Sequence, residues 1–496
     1  MKFPIWRPST PSLVWPALAV IVFCSLAAFL IENAALNTDE GFYANACRLA
    51  FRGELPYRDF GYTQTPAFPY LQGLALYWAS FTVGAERWIN ALWTGIALVL
   101  VYRRLRSGGL STLGSSGMVL LFVTSVPLLY YCTIGKTYAL AQLLLVLAGI
   151  GLWRENPRHA LLQTAFFGTL AVGCRLPVAP TVAVLYLAVL VRGWREKAGF
   201  TYLVLPPLIF GAAVFLPFLL SAPENFYFWN WEIHHLRDVP RRAALDVVWL
   251  VMLLVPSLLV VGLVAPIARG WRGILAPERR SFTFCLVAAW TGILVNTVAG
   301  SMYAEYVVPF FALLLIGAGG LISERRIRPS VQAGCLVLGC LLNLGALSLE
   351  TEKSYIERGF GSDLRAAGKF LRGNTSEGAL VIGSLLDVTL EAGRESHPRL
   401  AMGLFTVTGD CSPATAERLR MMHLVELVYL VQRGDAEGVV LCTGGNVNFE
   451  YSVPSMKPFK DAGTKLLHAA IWEGKYRLAY RNSTYIVLLR KNSTGL

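Results

Sequence analysis

The sequence is poor in charge, and poorer in acid than in base. Of its 496 residues only 15% are charged, with 31 acids against 44 bases, a net charge of +13 and six histidines. A soluble domain carries about 25% charged and about 45–50% apolar residues. Here 55% are hydrophobic and the mean hydropathy is +0.51, which argues against an ordinary soluble fold. No GxxxxGKS/T and no GxGxxG is present, so no loop of those types cradles a nucleotide phosphate. No CxxC and no His/Cys cluster has zinc-site spacing, so the reading names no metal ligands. The excess of base has no basic face interleaved with aromatics beside it, which sets nucleic acid aside as a partner. Long internal repeats and low-complexity linkers are missing too.

What is present is apolar sequence in blocks of about 15–23 residues, many separated by Lys or Arg. A helix needs about 20 apolar residues to cross a bilayer, and barrel strands would be shorter and alternating. Spans are expected near 12–31, 85–102, 113–131, 137–153, 160–174, 177–191, 200–220, 245–267, 282–301, 306–322 and 330–349. A cleaved signal peptide is the rival reading of the first block. The short, aromatic, proline-broken block 66–82 reads as an interfacial or re-entrant helix. This alternation puts about 17 Lys and Arg on one side, Lys2, Arg7, Arg103, Arg104 and Arg106 among them, against 9 on the other, which makes the richer side cytoplasmic. The N-terminus is then cytoplasmic and the polar loop within 32–84 is outside.

Residues 350–496 change character, with charge and glycine throughout. Helices are expected at 362–372 and 413–433, and strands at 379–384, 438–444 and 484–490, an α/β pattern. The expected architecture is an all-α polytopic membrane bundle of about eleven spans, residues 1–349. A small extracytoplasmic α/β domain follows, residues 350–496. Six cysteines lie in or beside apolar blocks and Cys47 in the first outside loop. Cys411 and Cys442 lie in the tail, where an oxidising compartment would let them pair.

Four groups of residues could carry chemistry. In the first outside loop Asp39-Glu40 is followed by Tyr43 and by Tyr57-Arg58-Asp59. Such a loop is either merely solvated, or it offers a partly desolvated carboxylate as general base. Lys136 and Arg175 sit at outer helix ends. They are either headgroup anchors or two cations that hold a phosphate leaving group. The stretch 225–238 brings Trp229, Trp231, His234 and His235, either an aromatic belt or a sugar-stacking surface. Adjacent histidines do not converge on one metal from a helix. Tyr303, Glu305 and Tyr306 lie in the last outside turn, either as loop polarity or as binding groups.

The run NTDEGFYANACRLAFRGELPYRDFGYTQTPAFPYLQGL resembles the start of GT-C glycosyltransferases, membrane enzymes that take sugars from polyprenyl-phosphate carriers. The nearest relatives look like bacterial relatives of protein O-mannosyltransferases and aminoarabinose transferases. The pattern continues with Lys136, Arg175 and a Tyr-x-x-Tyr-x-x-Pro run from Tyr303 to Pro309. It covers roughly the first 350 residues. The resemblance implies inverting transfer on the extracytoplasmic face of a bacterial inner membrane, to a lipid, glycan or protein acceptor. It implies Asp39 as general base with Glu40 beside it to organise the site or a cation. Lys136 and Arg175, with Arg58, would meet the donor phosphate. Tyr43, Tyr57, Asp59, His234, His235, Tyr303, Glu305 and Tyr306 would contact substrate. Relatives often carry histidine where this chain has Tyr303-Ala304-Glu305-Tyr306, which leaves a divalent cation open. Two other readings stand beside this one: a lipid or sugar transporter or flippase, which should show repeat-related halves and helices broken at mid-membrane, and a catalytically silent relative that binds lipid carriers.

Overall fold

The computed structural model describes residues 13–37, 39–236, 255–274, 276–298, 303–322, 329–349, 355–356, 359–442, 469 and 473–491. The first part of the expected span 245–267 and the side chain of His235 fall outside them, as do Lys2, Arg7 and Cys24's upstream segment 1–12.

Helix α1 (Val14–Asn33) is followed by α2 (Glu40–Phe51) and α3 (Ala67–Ala79). Then come α4 (Val83–Ser107), α5 (Thr112–Thr124), α6 (Val126–Thr133) and α7 (Tyr138–Ile150). Next are α8 (Pro157–Cys174), α9 (Ala179–Arg195), α10 (Phe200–Ser221) and the short α11 (Pro223–Tyr227). The bundle ends with α12 (Pro256–Ile274), α13 (Arg280–Val298), α14 (Phe311–Ile322) and α15 (Pro329–Leu349).

Among the described residues, five helices are long and apolar enough to cross a membrane, and six if one bent pair is a single span. The chain is thus built for a membrane. The count of about eleven requires three shorter apolar helices and the charge-bearing α4 and α8 to span as well. Exposed Leu208, Ile209 and Leu220 on α10, and Val337, Leu338 and Leu341 on α15, face away from the bundle. An apolar surface that wide belongs in lipid.

The expected helix 113–131 is instead α5 and α6, bent by 77°. Pro127 has no N–H to donate and disfavours helical geometry in the residues before it, and Ser125 leaves the helical region at ψ 89°. The bend swings Tyr130 and Tyr131 into the core. Helix α14 is enclosed, with residues Phe311–Leu321 all buried. A Cβ at Gly317 would stand 2.6 Å from the backbone nitrogen of Leu286, so glycine here lets α13 and α14 approach closely. Helix α3 is amphipathic: Gln72 and Leu76 are buried while Leu74, Tyr77 and Trp78 are exposed.

Beyond residue 358, helix α16 (Phe360–Asn374) leads to strand β1 (Val381–Gly383). Helix α17 (Asp387–Glu391) and the short parallel pair β2 (Val407–Thr408) and β3 (Met422–His423) follow. The main sheet has the order β1-β4-β6-β5, with β4 Gly438–Cys442, β5 Tyr476–Arg481 and β6 Tyr485–Arg490. β1 and β4 are parallel; β6 is antiparallel to both β4 and β5. One face carries Leu364, Ala367 and Leu371 of α16, and the other Leu427 and Val431 of helix α19 (Leu424–Arg433). Expectation and structure part at 413–433. That stretch is two helices, α18 (Pro413–Arg418) and α19, with β3 between them. Arg420 takes a positive φ of 61°, which no helix interior accepts. Cys411 and Cys442 are free thiols, as are the other seven cysteines.

This region lies directly on α2. Asn45 donates to the Ala401 carbonyl at 2.9 Å, Arg48 to that of Arg394 at 2.8 Å, and Arg52 pairs with Glu395. A Cβ at Gly41 would stand 2.7 Å from the Asp387 nitrogen. Helix α2 is therefore enclosed along residues 40–50, between the bundle and the sheet region.

Candidate active site

Three short segments meet where α2 begins. Asp39 opens α2, Lys136 lies in the turn between α6 and α7, and Glu305 lies in the 3-10 turn that precedes α14. The Lys136 ammonium is 3.0 Å from Asp39 Oδ2 and 3.9 Å from Glu305 Oε1. The side chains of Lys136 and Glu305 are 6% and 7% exposed, that of Asp39 33%. Asp39 is therefore the open member of the three. Burial works against the lysine charge, but Asp39, Tyr138 and Glu305 outweigh it and hold the ammonium well above the usual lysine range.

Arg175 ends α8 and completes the cationic pair. Its guanidinium donates to Thr137 Oγ1 at 3.1 Å and lies 4.3 Å from the centre of the Tyr138 ring and 4.6 Å from that of Tyr306. Such ring faces attract a cation without neutralising it. Tyr303 stands beside Tyr306, ring centres 5.8 Å apart. Tyr43 is buried, and burial together with Asp39 pushes its hydroxyl above the usual tyrosine range, while Arg175 and Lys136 pull it back. It thus feels all three charged groups. Tyr131 and Tyr138 meet edge to face at 6.1 Å and extend the aromatic wall.

Glu40 is fully buried and all its bonds are taken. Arg87 forks onto both its oxygens at 2.7 Å, and the Gly135 and Asn37 amides donate at 2.9 Å each. Arg87 also donates to the Ile31 and Ala34 carbonyls at 3.1 and 3.2 Å. One carboxylate thereby ties the end of α1, the Asp39 turn, α4 and the Lys136 turn together. Arg87 is one of the nine Lys and Arg that the charge count puts on the outer side. The signal available was an adjacent Glu86-Arg87 pair in the first turn of a helix expected to span the membrane.

The remaining expected residues lie differently. Arg58 and Asp59 pair with each other at 2.8 Å, and Asp59 also caps the Leu55 amide at 2.7 Å. Arg58 shows no bond to the Lys136 cluster. Tyr57 is wholly buried with a positive φ of 69°, and its hydroxyl donates to the Gln64 carbonyl at 2.5 Å. Arg58, Asp59 and Tyr57 thus make these bonds within the 55–64 loop. The His234 ring lies 3.3 Å from the Thr63 carbonyl. Trp229 is buried and donates to the Leu419 carbonyl at 3.0 Å, so it anchors the sheet region instead of offering a stacking face. Among the described residues no three His, Cys, Asp or Glu side chains gather as metal ligands.

Two solved structures share this architecture from end to end. ArnT from Cupriavidus metallidurans bound to undecaprenyl phosphate superposes with a TM-score of 0.64 at 12% identity, covering 97% of this chain and 99% of that one. The apo state of the same protein gives 0.61 at 11%, covering 96% and 97%. The chain has the fold of ArnT. A mycobacterial arabinofuranosyltransferase, AftD, matches at a TM-score of 0.49 and 13% identity, over 98% of this chain and 40% of that one. No family model and no curated protein matches the sequence. The GT-C resemblance read from residues 37–74 and 303–309 thus agrees with the fold over nearly the whole chain.

Proposed function

We propose that this protein is an inverting glycosyltransferase that moves a sugar from a polyprenyl-phosphate carrier to a hydroxyl of a lipid, glycan or protein acceptor on the extracytoplasmic face. The observation that carries the reading is the Lys136 ammonium held between Asp39 and Glu305 with Arg175 nearby. An ammonium and a guanidinium at one buried, aromatic-walled point suit a lipid phosphate. The ArnT structure with undecaprenyl phosphate adds support from the fold.

The resting ion pair suggests the order of events. Donor phosphate competes for Lys136 and loosens its hold on Asp39. Asp39 then accepts the proton of the acceptor hydroxyl, and that oxygen attacks the anomeric carbon from the face opposite the phosphate. The bond from carbon to phosphate oxygen breaks, and its electron pair leaves with the polyprenyl phosphate. The added negative charge meets Lys136 and Arg175 in a site largely shielded from water. Glu40 takes no proton in this scheme; it holds the two turns in register, because every donor around it is already bonded to it. Glu305 keeps the ammonium aligned.

Incubation of the purified chain with labelled polyprenyl-phosphate sugars and a membrane extract, followed by identification of the labelled product and its anomeric configuration, tests the reading. Asp39→Asn should lose turnover by about 100-fold or more, the scale of a general base, and still bind undecaprenyl phosphate. Turnover at the wild-type rate in that variant overturns Asp39 as base.

A further inference from the structure

One face of α4 is polar although it points into the bundle: Glu86, Arg87, Asn90 and Thr94 recur at helical spacing and are 0–1% exposed. Arg87 serves Glu40. Asn90 has no place in the chemistry above, yet its whole amide is engaged. Its Nδ2 donates to the Ile134 carbonyl at 2.5 Å and the Lys136 carbonyl at 3.2 Å, on either side of Gly135. One turn along, Thr94 donates to the Cys132 carbonyl at 2.9 Å. The Lys136 amide also folds back onto the Ile134 carbonyl at 2.7 Å, so Asn90 adds a second bond to that carbonyl and joins it to the Lys136 carbonyl across the turn.

Asn90 is itself held in one orientation. Its Oδ1 accepts from Gln72 Nε2 at 3.1 Å, and Gln72 Oε1 accepts from the Trp93 indole at 2.9 Å. An indole nitrogen only donates. The relay therefore runs one way, from Trp93 to Gln72 to Asn90 to the turn, and it fixes which edge of Asn90 faces the carbonyls. Gln72 lies on α3, whose other face exposes Leu74, Tyr77 and Trp78.

A lysine side chain has four rotatable bonds, so the position of its ammonium depends on where its backbone is fixed. We infer that Asn90 is the positioning residue for Lys136: it clamps the Ile134–Lys136 turn, and the Trp93–Gln72 relay from α3 keeps that clamp correctly oriented. This inference rests on reading Lys136 as a ligand of the donor phosphate.

The test is equilibrium binding of radiolabelled undecaprenyl phosphate to the full detergent-purified chain, with melting temperature measured alongside. Asn90→Asp removes both donors and should weaken binding about tenfold or more, since the Lys136 carbonyl loses its Asn90 donor and the Ile134 carbonyl keeps only the Lys136 amide. Trp93→Phe removes one N–H and should weaken it about 2- to 5-fold, with a melting temperature lowered by no more than about 4 °C. In a Lys136→Gln background, Asn90→Asp should add nothing further. Should Lys136→Gln weaken binding while both other variants bind as wild type, the positioning role is refuted and the reading of Lys136 stands. Undiminished binding by Lys136→Gln refutes the reading itself, and the inference with it. An equal loss from Asn90→Asp with and without Lys136 shows a general packing role and refutes the inference. If Asn90→Asp does not fold, Trp93→Phe decides, alone and in the Lys136→Gln background.

Discussion

Replacing Arg87 by methionine keeps the volume of the side-chain stem and removes the charge. It leaves the Glu40 carboxylate fully buried with two amide donors, Asn37 and Gly135, and no cation. It also strips the Ile31 and Ala34 carbonyls of their shared donor. Removing one partner of a buried ion pair costs about 3–5 kcal/mol, mostly because the other charge stays buried and uncompensated. The loss for Arg87→Met should fall in that range. Adding Glu40→Gln removes the stranded charge, and the glutamine oxygen still accepts from an amide. The double variant should therefore be more stable than the sum of the two single losses by about 2 kcal/mol or more. Unfolding of the detergent-solubilised protein by sodium dodecyl sulfate, followed by circular dichroism, measures all four corners of the cycle. A loss under about 1 kcal/mol for Arg87→Met, or additive single losses, would refute the buried ion pair as the tie between the Asp39 and Lys136 turns.

The Asp387 carboxyl, buried and taking a hydrogen bond from the Tyr485 hydroxyl, is pushed up to about 6, chiefly by burial with Glu40 adding to it. A raised acid holds its proton longer in the folded state, so its cost to stability is absent below about pH 4, grows as pH rises through 4 to 6, and is complete above. Asp387→Asn should remove that slope and leave the variant more stable than wild type by up to about 3 kcal/mol at pH 8; melting curves from pH 4 to 8 that run parallel refute this. The Arg52–Glu395 pair bonds at 2.5 and 2.8 Å but is 47% and 31% exposed. Arg52→Gln should cost no more than about 1 kcal/mol, less in 0.5 M salt, by the same unfolding measurement.

Much of the bundle was readable in one dimension. Helices α1, α9, α10, α13 and α14 lie close to the blocks that hydropathy marked, because lipid demands a long apolar run whatever packs beside it. Asp39, Lys136, Arg175 and Glu305 stood out as ionisable residues at the ends of such runs, where charge needs a reason. The bend at Ser125 was available from Pro127 and was missed, because an unbroken apolar run outweighed one proline. The division of 413–433 depended on Arg420 taking a positive φ to bury Met421 and Met422, a long-range demand that overrides local helix preference.

The amino-acid order by itself decided that this chain belongs in a bilayer and which few charges sit at its helix ends, since those are properties of composition along a line. Tertiary structure alone decided the partners. Arg87 forks Glu40 from 47 residues away, the Lys136 ammonium stands between Asp39 and Glu305, and Tyr57 turned inward to bond the Gln64 carbonyl. No spacing rule encodes such pairs, because the distance between two charges, and the water left around them, is set only when the helices that carry them pack.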